Sequence, residues 1–454
     1  MDSSDLPVYG LGYRHVQIAL VFSMVVIMYM INMAPPIALV AMTDPGTSPN
    51  PRVPSFTNWN DQSIVLISFY FGFAPFQLFG GPLARKYGFK WFMVFSMLIA
   101  SLISILIPSL IMKFGSMGLM FSFCLQGLCQ GLIIPMLSDF ISKWVPISER
   151  TVYGTFIFAS KTLGTVFATQ LTGLLASSWW GWPSAFYLYG SIGIIWSIFM
   201  TILGCNSPAE HSMISESERD YIERGKPITK KKVPWSKIIR SSPAWAVCMS
   251  HVGITWTIRL TTTELPTYMN RVLGFSVETC SVVLSITYLA AYLNTFLVSN
   301  ISQRIINEKT LSTGTCRKIC NSIASWGSAI LLILLSLLSS ESYLGLVLIF
   351  LTFICTNVSF AGFSINYNDV TPNYSGCLYG IGGLTSTVVS YIPLILVQLT
   401  VTNQTDSTQW IPTFFCAAAF TGLTNFFFIM KGSGETQEWD NPEEEESQNL
   451  LEKP

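Results

Sequence analysis

Long apolar runs separated by short polar stretches dominate the chain. Twelve of these runs reach the roughly 20 residues that a helix needs to cross a bilayer. They cover 16–42, 62–83, 91–112, 116–141, 152–176, 183–204, 244–268, 279–299, 316–338, 343–365, 376–400 and 409–431. Within a bilayer each segment must satisfy its own backbone hydrogen bonds, so a helix is predicted for every run. The polar stretch 205–243 divides them six and six. The pattern therefore predicts an all-α polytopic membrane protein, with twelve transmembrane helices in two pseudo-symmetric six-helix halves. The expected division is a segment 1–15, an N-terminal half 16–204, a central loop 205–243, a C-terminal half 244–431 and an acidic tail 432–454. The tail is too polar to bury a core and is expected to be disordered. No cleavable signal peptide is expected, because residues 2–15 are polar and the first apolar run is too long for a signal core.

Composition agrees. Only 11% of the 454 residues are charged, against roughly 25% in soluble domains, and mean hydropathy is +0.49. The net charge is zero, so the basic excess of a nucleic-acid binder is missing. The arrangement of the basic residues is informative. With the N-terminus placed in the cytoplasm, 20 of the 25 Lys and Arg residues fall on the cytoplasmic side. Arg52, Lys113 and Arg271 fall outside, and Lys161 and Arg259 lie inside spans. This asymmetry is the positive-inside signature, and it predicts cytoplasmic N- and C-termini. The ten cysteines include no pair in an external loop, so no structural disulfide is expected. Cys316 and Cys320 lack the second pair or histidines that a zinc site would need. Of the four sequons, at Asn300, Asn357, Asn373 and Asn403, only Asn403 faces outward in this topology, close to the end of span 11.

Several short stretches resemble known motifs. Gly80-Gly81-Pro82-Leu83-Ala84-Arg85-Lys86-Tyr87-Gly88, after span 2, resembles the G-x-L-A-D-R-x-G signature of the major facilitator superfamily. Ser302-Gln303-Arg304 stands at the corresponding place after span 8. The acidic position of the signature is Arg85 in the first copy and Gln303 in the second, which leaves a helix-packing role for Gly81 and Gly88. Ser142-Lys143-Trp144-Val145-Pro146-Ile147-Ser148-Glu149-Arg150 is similar to the S-K-W-x-P-x-x-E-R stretch of solute carrier family 17. That family includes sialin, vesicular glutamate transporters and phosphate-cotransporter-like proteins. Asn366 to Gly376, with Asp369 and Pro372, resembles the family's N-x-x-D-I-A-P-x-Y-A-G, and Thr263 to Met269 resembles a stretch at the end of its span 7. Trp144–Pro146 and Val370–Pro372 hold equivalent places in the two halves, where proline stops one helix and polar neighbours can cap the next.

The resemblance implies a transporter with anion-binding charges in spans 1, 4 and 7. Carried over by position, these charges are largely replaced: Asn32 and Ile254 stand at arginine positions, Phe123 where some members have arginine, and Gln130 at a glutamate. Gln126 and Gln130 are four apart and share a face of span 4, which either lines a cavity or contacts a helix. Asn32 beside Pro35-Pro36 either meets solute or bonds the backbone that the prolines free.

The charges left inside spans are then the candidates for solute binding. Lys161 lies roughly 15 Å into span 5, and a lysine there costs on the order of 2.5–3.5 kcal/mol unless it faces a cavity or a partner. Arg259 of span 7 has a planar fork suited to carboxylate or phosphate, and His251 lies on the same helix. Pairing of Lys161 with Asp139, pairing of Arg259 with Glu264, and simple packing of His251 are the competing readings.

Within the tail, Glu446-Ser447-Gln448-Asn449-Leu450-Leu451 fits the acidic dileucine form that clathrin adaptors bind. It points to an endolysosomal or vesicular membrane ahead of the plasma membrane. The function expected is secondary active transport of a small organic or inorganic anion by alternating access, coupled to H+ or Na+ or driven by membrane potential. No cofactor is expected, and the partners are the solute, the bilayer and adaptors. The alternatives are a carrier of neutral solute, or a non-transporting membrane sensor or scaffold. An enzyme is not expected, since no nucleophile–base or metal constellation stands out.

Overall fold

The computed structural model describes residues 10–43, 47–56, 59, 62–224, 232–275, 277–338 and 342–440. Among them the secondary structure is helical. The N-terminal half holds spans 1 to 6 as Tyr13–Thr43, Gln62–Tyr87, Lys90–Phe114, Ser116–Trp144, Arg150–Ala176 and Pro183–Leu203. In the C-terminal half, span 7 is Ser242–Thr263 followed by Leu265–Arg271, and span 8 is Val277–Asn307. Span 9 runs as Thr313–Ser322, a wide turn Ile323–Gly327, and Ser328–Leu337. Span 10 is Ser342–Asn357 and Phe363–Val370, span 11 is Ser375–Val389 and Ile392–Thr400, and span 12 is Ser407–Lys431.

Among the described residues, ten helices are long and apolar enough to cross a membrane by length and composition. The two that fall short in hydropathy are spans 5 and 7, which carry Lys161 and the pair His251 and Arg259. The least apolar spans are thus the ones with candidate solute chemistry.

The pairing of helices repeats between halves. Span 2 packs on span 4, span 1 on span 5, and span 3 on span 6; likewise span 8 packs on span 10, span 7 on span 11, and span 9 on span 12. Across the interface, span 2 meets span 11 and span 8 meets span 5, which is one contact made twice about a pseudo-twofold axis. The apolar runs face either lipid or this packing, so many large side chains such as Phe71, Trp91, Leu293 and Leu423 remain exposed on the outside of the bundle.

One expectation is corrected. Residues 432–440, counted with the disordered tail, pack on the end of the bundle that bears the central loop, here termed the basic end. Trp439 is 9% exposed and Asp440 fully buried. Asp440 accepts hydrogen bonds from the Thr371 hydroxyl and from the Asn373 backbone and side-chain N–H groups. Burial pushes its carboxyl up, and these bonds pull it partly back. One tryptophan and one well-bonded carboxylate anchor this strap, a signal that composition averaged over the whole tail conceals. The remaining tail, with Glu446, Leu450 and Leu451, lies outside the described residues.

Candidate functional site

Two layers occupy the interface between the halves: a latch at the basic end, and a cationic, aromatic layer at mid-depth.

The latch is built from the motif residues. Gly81 of span 2 lies so close to span 11 that a Cβ there would stand 2.2 Å from the Gly376 carbonyl carbon. Only a hydrogen fits. Gly88 closes the following turn at φ +80°, where glycine carries no penalty, and its position is filled by Asn206, whose Oδ1 accepts from Lys90 N. Arg85 crosses to the other half, donating to Asn373 O at 2.7 Å with its guanidinium 4.2 Å over the Tyr374 ring. The signature's acidic position is therefore filled by a cation that still bridges the halves, reaching a carbonyl and a ring of the opposite half. The second copy mirrors it: Gln303 accepts from Thr151 N at 2.7 Å, and Asn307 donates to Ser148 O.

Between these two bridges, Arg150 donates to Asn368 O, while its Nε and Nη2 find no partner among the described residues. Arg317 pairs with Asp369 at 2.7 Å and donates to Ala361 O and, across the interface, to Thr151 Oγ1. Ser142 bonds Asn368 and Ser375. A cavity of about 140 Å³ remains here, lined by Arg150, Gln303, Arg317, Asp369 and Pro372 among others.

The turn after span 4 follows from its sequence. The helix ends at Trp144, Val145 is extended ahead of Pro146, and the chain restarts at Ile147–Glu149. Trp144 is fully buried and donates to Cys205 O. Glu149 and Glu218 clamp the buried Arg14, which ties the central loop to span 1. These residues hold the N-terminal half together.

At mid-depth, Lys161 is half-buried with no hydrogen bond or ion pair among the described residues. Its Nζ lies 4.9 Å from the ring centre of Phe360, in the opposite half, and 6.0 Å from that of Phe158. Phe158 in turn stacks on Tyr379 across the interface. Asp139, the partner weighed for Lys161, instead meets Lys143 one turn along its own helix at 2.8 Å. His251 lies within electrostatic reach of Lys161. Its Nδ1 bonds the Tyr367 hydroxyl at 3.1 Å, and its ring stacks on Phe363. The histidine is thus packed, and lies within electrostatic reach of the lysine.

Arg259 lies eight residues beyond His251, roughly 12 Å along the helix. It bonds Tyr70 of span 2 rather than Glu264, with its guanidinium 4.7 Å over the Tyr70 ring. Tyr391 packs edge-on against Tyr70, and Tyr29 lies close by. The Arg259 Nε has no partner among the described residues. Tyr391 sits at the break in span 11, between Val389 and Ile392.

The glutamines lie elsewhere. Gln130 donates to Met28 O at 3.1 Å and Gln126 to Ala100 O at 3.4 Å, so their shared face contacts spans 1 and 3 and does not line the inter-half layer. Buried amides within a helix pair bond the backbone at hand. Asn32 is buried one turn beyond Tyr29, on the same face of span 1. Asn403 is exposed in the turn between spans 11 and 12. Sequence reasoning missed Tyr29, Tyr70, Tyr367, Tyr379 and Tyr391. A tyrosine inside a span needs a partner for its hydroxyl, and that need was the available signal.

Comparison with known proteins adds the family. The model of the Major Facilitator Superfamily matches residues 19–393. A protein of Drosophila ananassae named "Putative inorganic phosphate cotransporter" is 34% identical over 404 residues, covering 87% of this chain and 84% of that one. Human sialin is 31% identical over 384 residues, covering 83% and 76%. Vesicular glutamate transporter 3 of Danio rerio is 31% identical over 404 residues, covering 86% and 67%. Among solved structures, a proton:xylose symporter superposes with TM-score 0.71 at 11% identity over 93% of this chain and 98% of that one. At that identity the likeness concerns the fold.

Proposed function

The chain belongs to the major facilitator superfamily, in the solute carrier family 17 branch with sialin and the vesicular glutamate transporters, and on that premise we propose that this transporter moves a small organic or inorganic anion by alternating access. One observation carries the reading. At mid-depth two basic residues, Lys161 and Arg259, both lie between the halves, and neither pairs with a carboxylate among the described residues. A cation in that position is stabilised by whatever anion enters. Lys161 offers a compact charge and Arg259 a fork whose Nε is free. The relatives' names include inorganic phosphate and glutamate, both anions.

The mechanism follows from the two layers. The halves rock about the mid-depth layer, and the basic end opens when Arg85, Gln303 and Arg317 release their cross-half partners. The test is flux of labelled phosphate, urate, glutamate, sialic acid and a neutral sugar into proteoliposomes. The expected result is saturable uptake of at least one anion and none of the sugar. Uptake of the sugar alone would favour the neutral-solute reading, and no flux of any solute would favour a sensor.

The basic end is proposed to face the cytoplasm, because it bears the central loop and because, in the sequence, 20 of the 25 Lys and Arg residues fall in the segments on that side of the spans. On that orientation the Glu446–Leu451 stretch is a cytoplasmic sorting signal for an endolysosomal or vesicular membrane. Changing Leu450 and Leu451 to Ala should redistribute the protein to the cell surface by microscopy, and an unchanged distribution would remove the signal.

A further inference from the structure

The cationic layer contains one titratable amine and one permanent cation, and their surroundings differ. Arg259 is held by Tyr70 and flanked by Tyr29 and Tyr391. Lys161 is held by nothing polar: two phenyl rings flank its Nζ, and it makes no hydrogen bond or ion pair among the described residues. The groups facing it can be named element by element. Span 10 presents Phe360 and span 5 itself Phe158. Span 7 presents His251, whose Nδ1 is engaged by Tyr367. Span 11 presents Tyr379, stacked on Phe158. Span 4 has its carboxylate, Asp139, engaged with Lys143 near the basic end. No carboxylate among the described residues balances the lysine.

From this placement we propose that Lys161 is the proton-coupling group of the transporter, taking one proton from the water on the side of entry as the anion binds. The step rests on the anion reading above. It is balanced as Lys161-NH2 + H+ + A− giving Lys161-NH3+ paired with A−, with no other co-reactant. An ammonium flanked by phenyl rings and without a counter-charge is costly, and an anion without a cation is equally so. Each therefore raises the affinity for the other, and by linkage the effect is reciprocal. The lysine and its anion cross as a neutral pair, with the charge of Arg259 unchanged. After the anion leaves, the amine releases its proton to the water of the receiving side and returns uncharged, which couples net anion movement to H+. Arg259 keeps its charge throughout and orients the anion; a lone arginine at both places could not return empty at low cost.

The experiment uses the full chain in proteoliposomes with a transported anion and an internal pH dye. In the wild-type protein, anion uptake should rise at least tenfold when the entry side is acidified against the lumen, and each pulse of anion should carry protons with it. Lys161→Arg fixes the charge: net proton-driven accumulation should fall at least tenfold and lose its pH dependence, while exchange of internal for external anion persists at a reduced rate. If the arginine variant does not fold, the wild-type proton flux decides alone. Anion uptake without proton movement would overturn the coupling and leave the anion reading standing. Retention of the wild-type pH profile in Lys161→Arg, or its displacement by His251→Gln instead, would also overturn it. Absence of any anion flux would remove both readings.

Discussion

Replacing Gly81 by alanine is expected to cut transport about a hundredfold. The added methyl would stand 2.2 Å from the Gly376 carbonyl carbon and 2.3 Å from Cys377 N, both backbone atoms that cannot swing aside. Spans 2 and 11 must then separate, and overpacking against a rigid neighbour costs about 3 kcal/mol. That cost falls only on the conformation closed at the basic end, because the two glycines meet only when the halves meet. Since about 1.4 kcal/mol is tenfold, the closed population drops about a hundredfold. Cys377 reports the change directly. It is 1% exposed in the closed contact, so its alkylation, followed by mass spectrometry, should accelerate in Gly81→Ala. Wild-type uptake together with an unreactive Cys377 would show that this contact is not the closing surface.

Removing Asp369 should be the most damaging single change to stability. Its side chain is 8% exposed and that of Arg317 2%, at a separation of 2.7 Å. Arg150, also buried, faces the same carboxylate. Truncation to alanine removes the carboxylate that both guanidinium groups face and leaves only the weaker pull of Asp440 on Arg150, and breaking a buried pair costs about 3–5 kcal/mol. The purified Asp369→Ala protein should therefore melt well below the wild type, and Asp369→Asn, which keeps the shape and one acceptor, should fall between them. Equal melting of all three would mean that the neighbouring carbonyls Ala361 O and Asn368 O suffice to hold these arginines.

The architecture was legible where a bilayer dictates sequence. Twelve apolar runs, a polar centre and one-sided basic residues lead to the two halves seen here. What hydropathy cannot show is where a helix goes after its apolar surface ends. Span 8 was read to residue 299 but continues to Asn307, because Gln303 and Asn307 make their latch contacts from helical backbone beyond the apolar region. The breaks in spans 9, 10 and 11 were equally hidden, as Ile323–Gly327 and Val358–Phe360 are as apolar as their neighbours.

The candidate site was half legible. Lys161, His251 and Arg259 stood out because charge inside an apolar run is costly and therefore marks something. For Gln126 and Gln130 the spacing puts both on one face of span 4 and leaves cavity lining and helix contact equally open, and the bonds to Met28 O and Ala100 O put that face against spans 1 and 3. Arg85 shows the opposite case. A residue of the wrong sign for the signature keeps a bridging role because a carbonyl and the face of the Tyr374 ring, both electron-rich, can receive a cation.

The central claim is that Lys161 and Arg259 together form the anion site. Uptake of the transported anion should be measured in proteoliposomes for the wild type, Lys161→Gln, Arg259→Gln and the double variant, with equal amounts of folded protein confirmed by gel filtration. The account predicts at least a tenfold loss in each single variant and no saturable uptake in the double one. Wild-type affinity and rate in the double variant would contradict it.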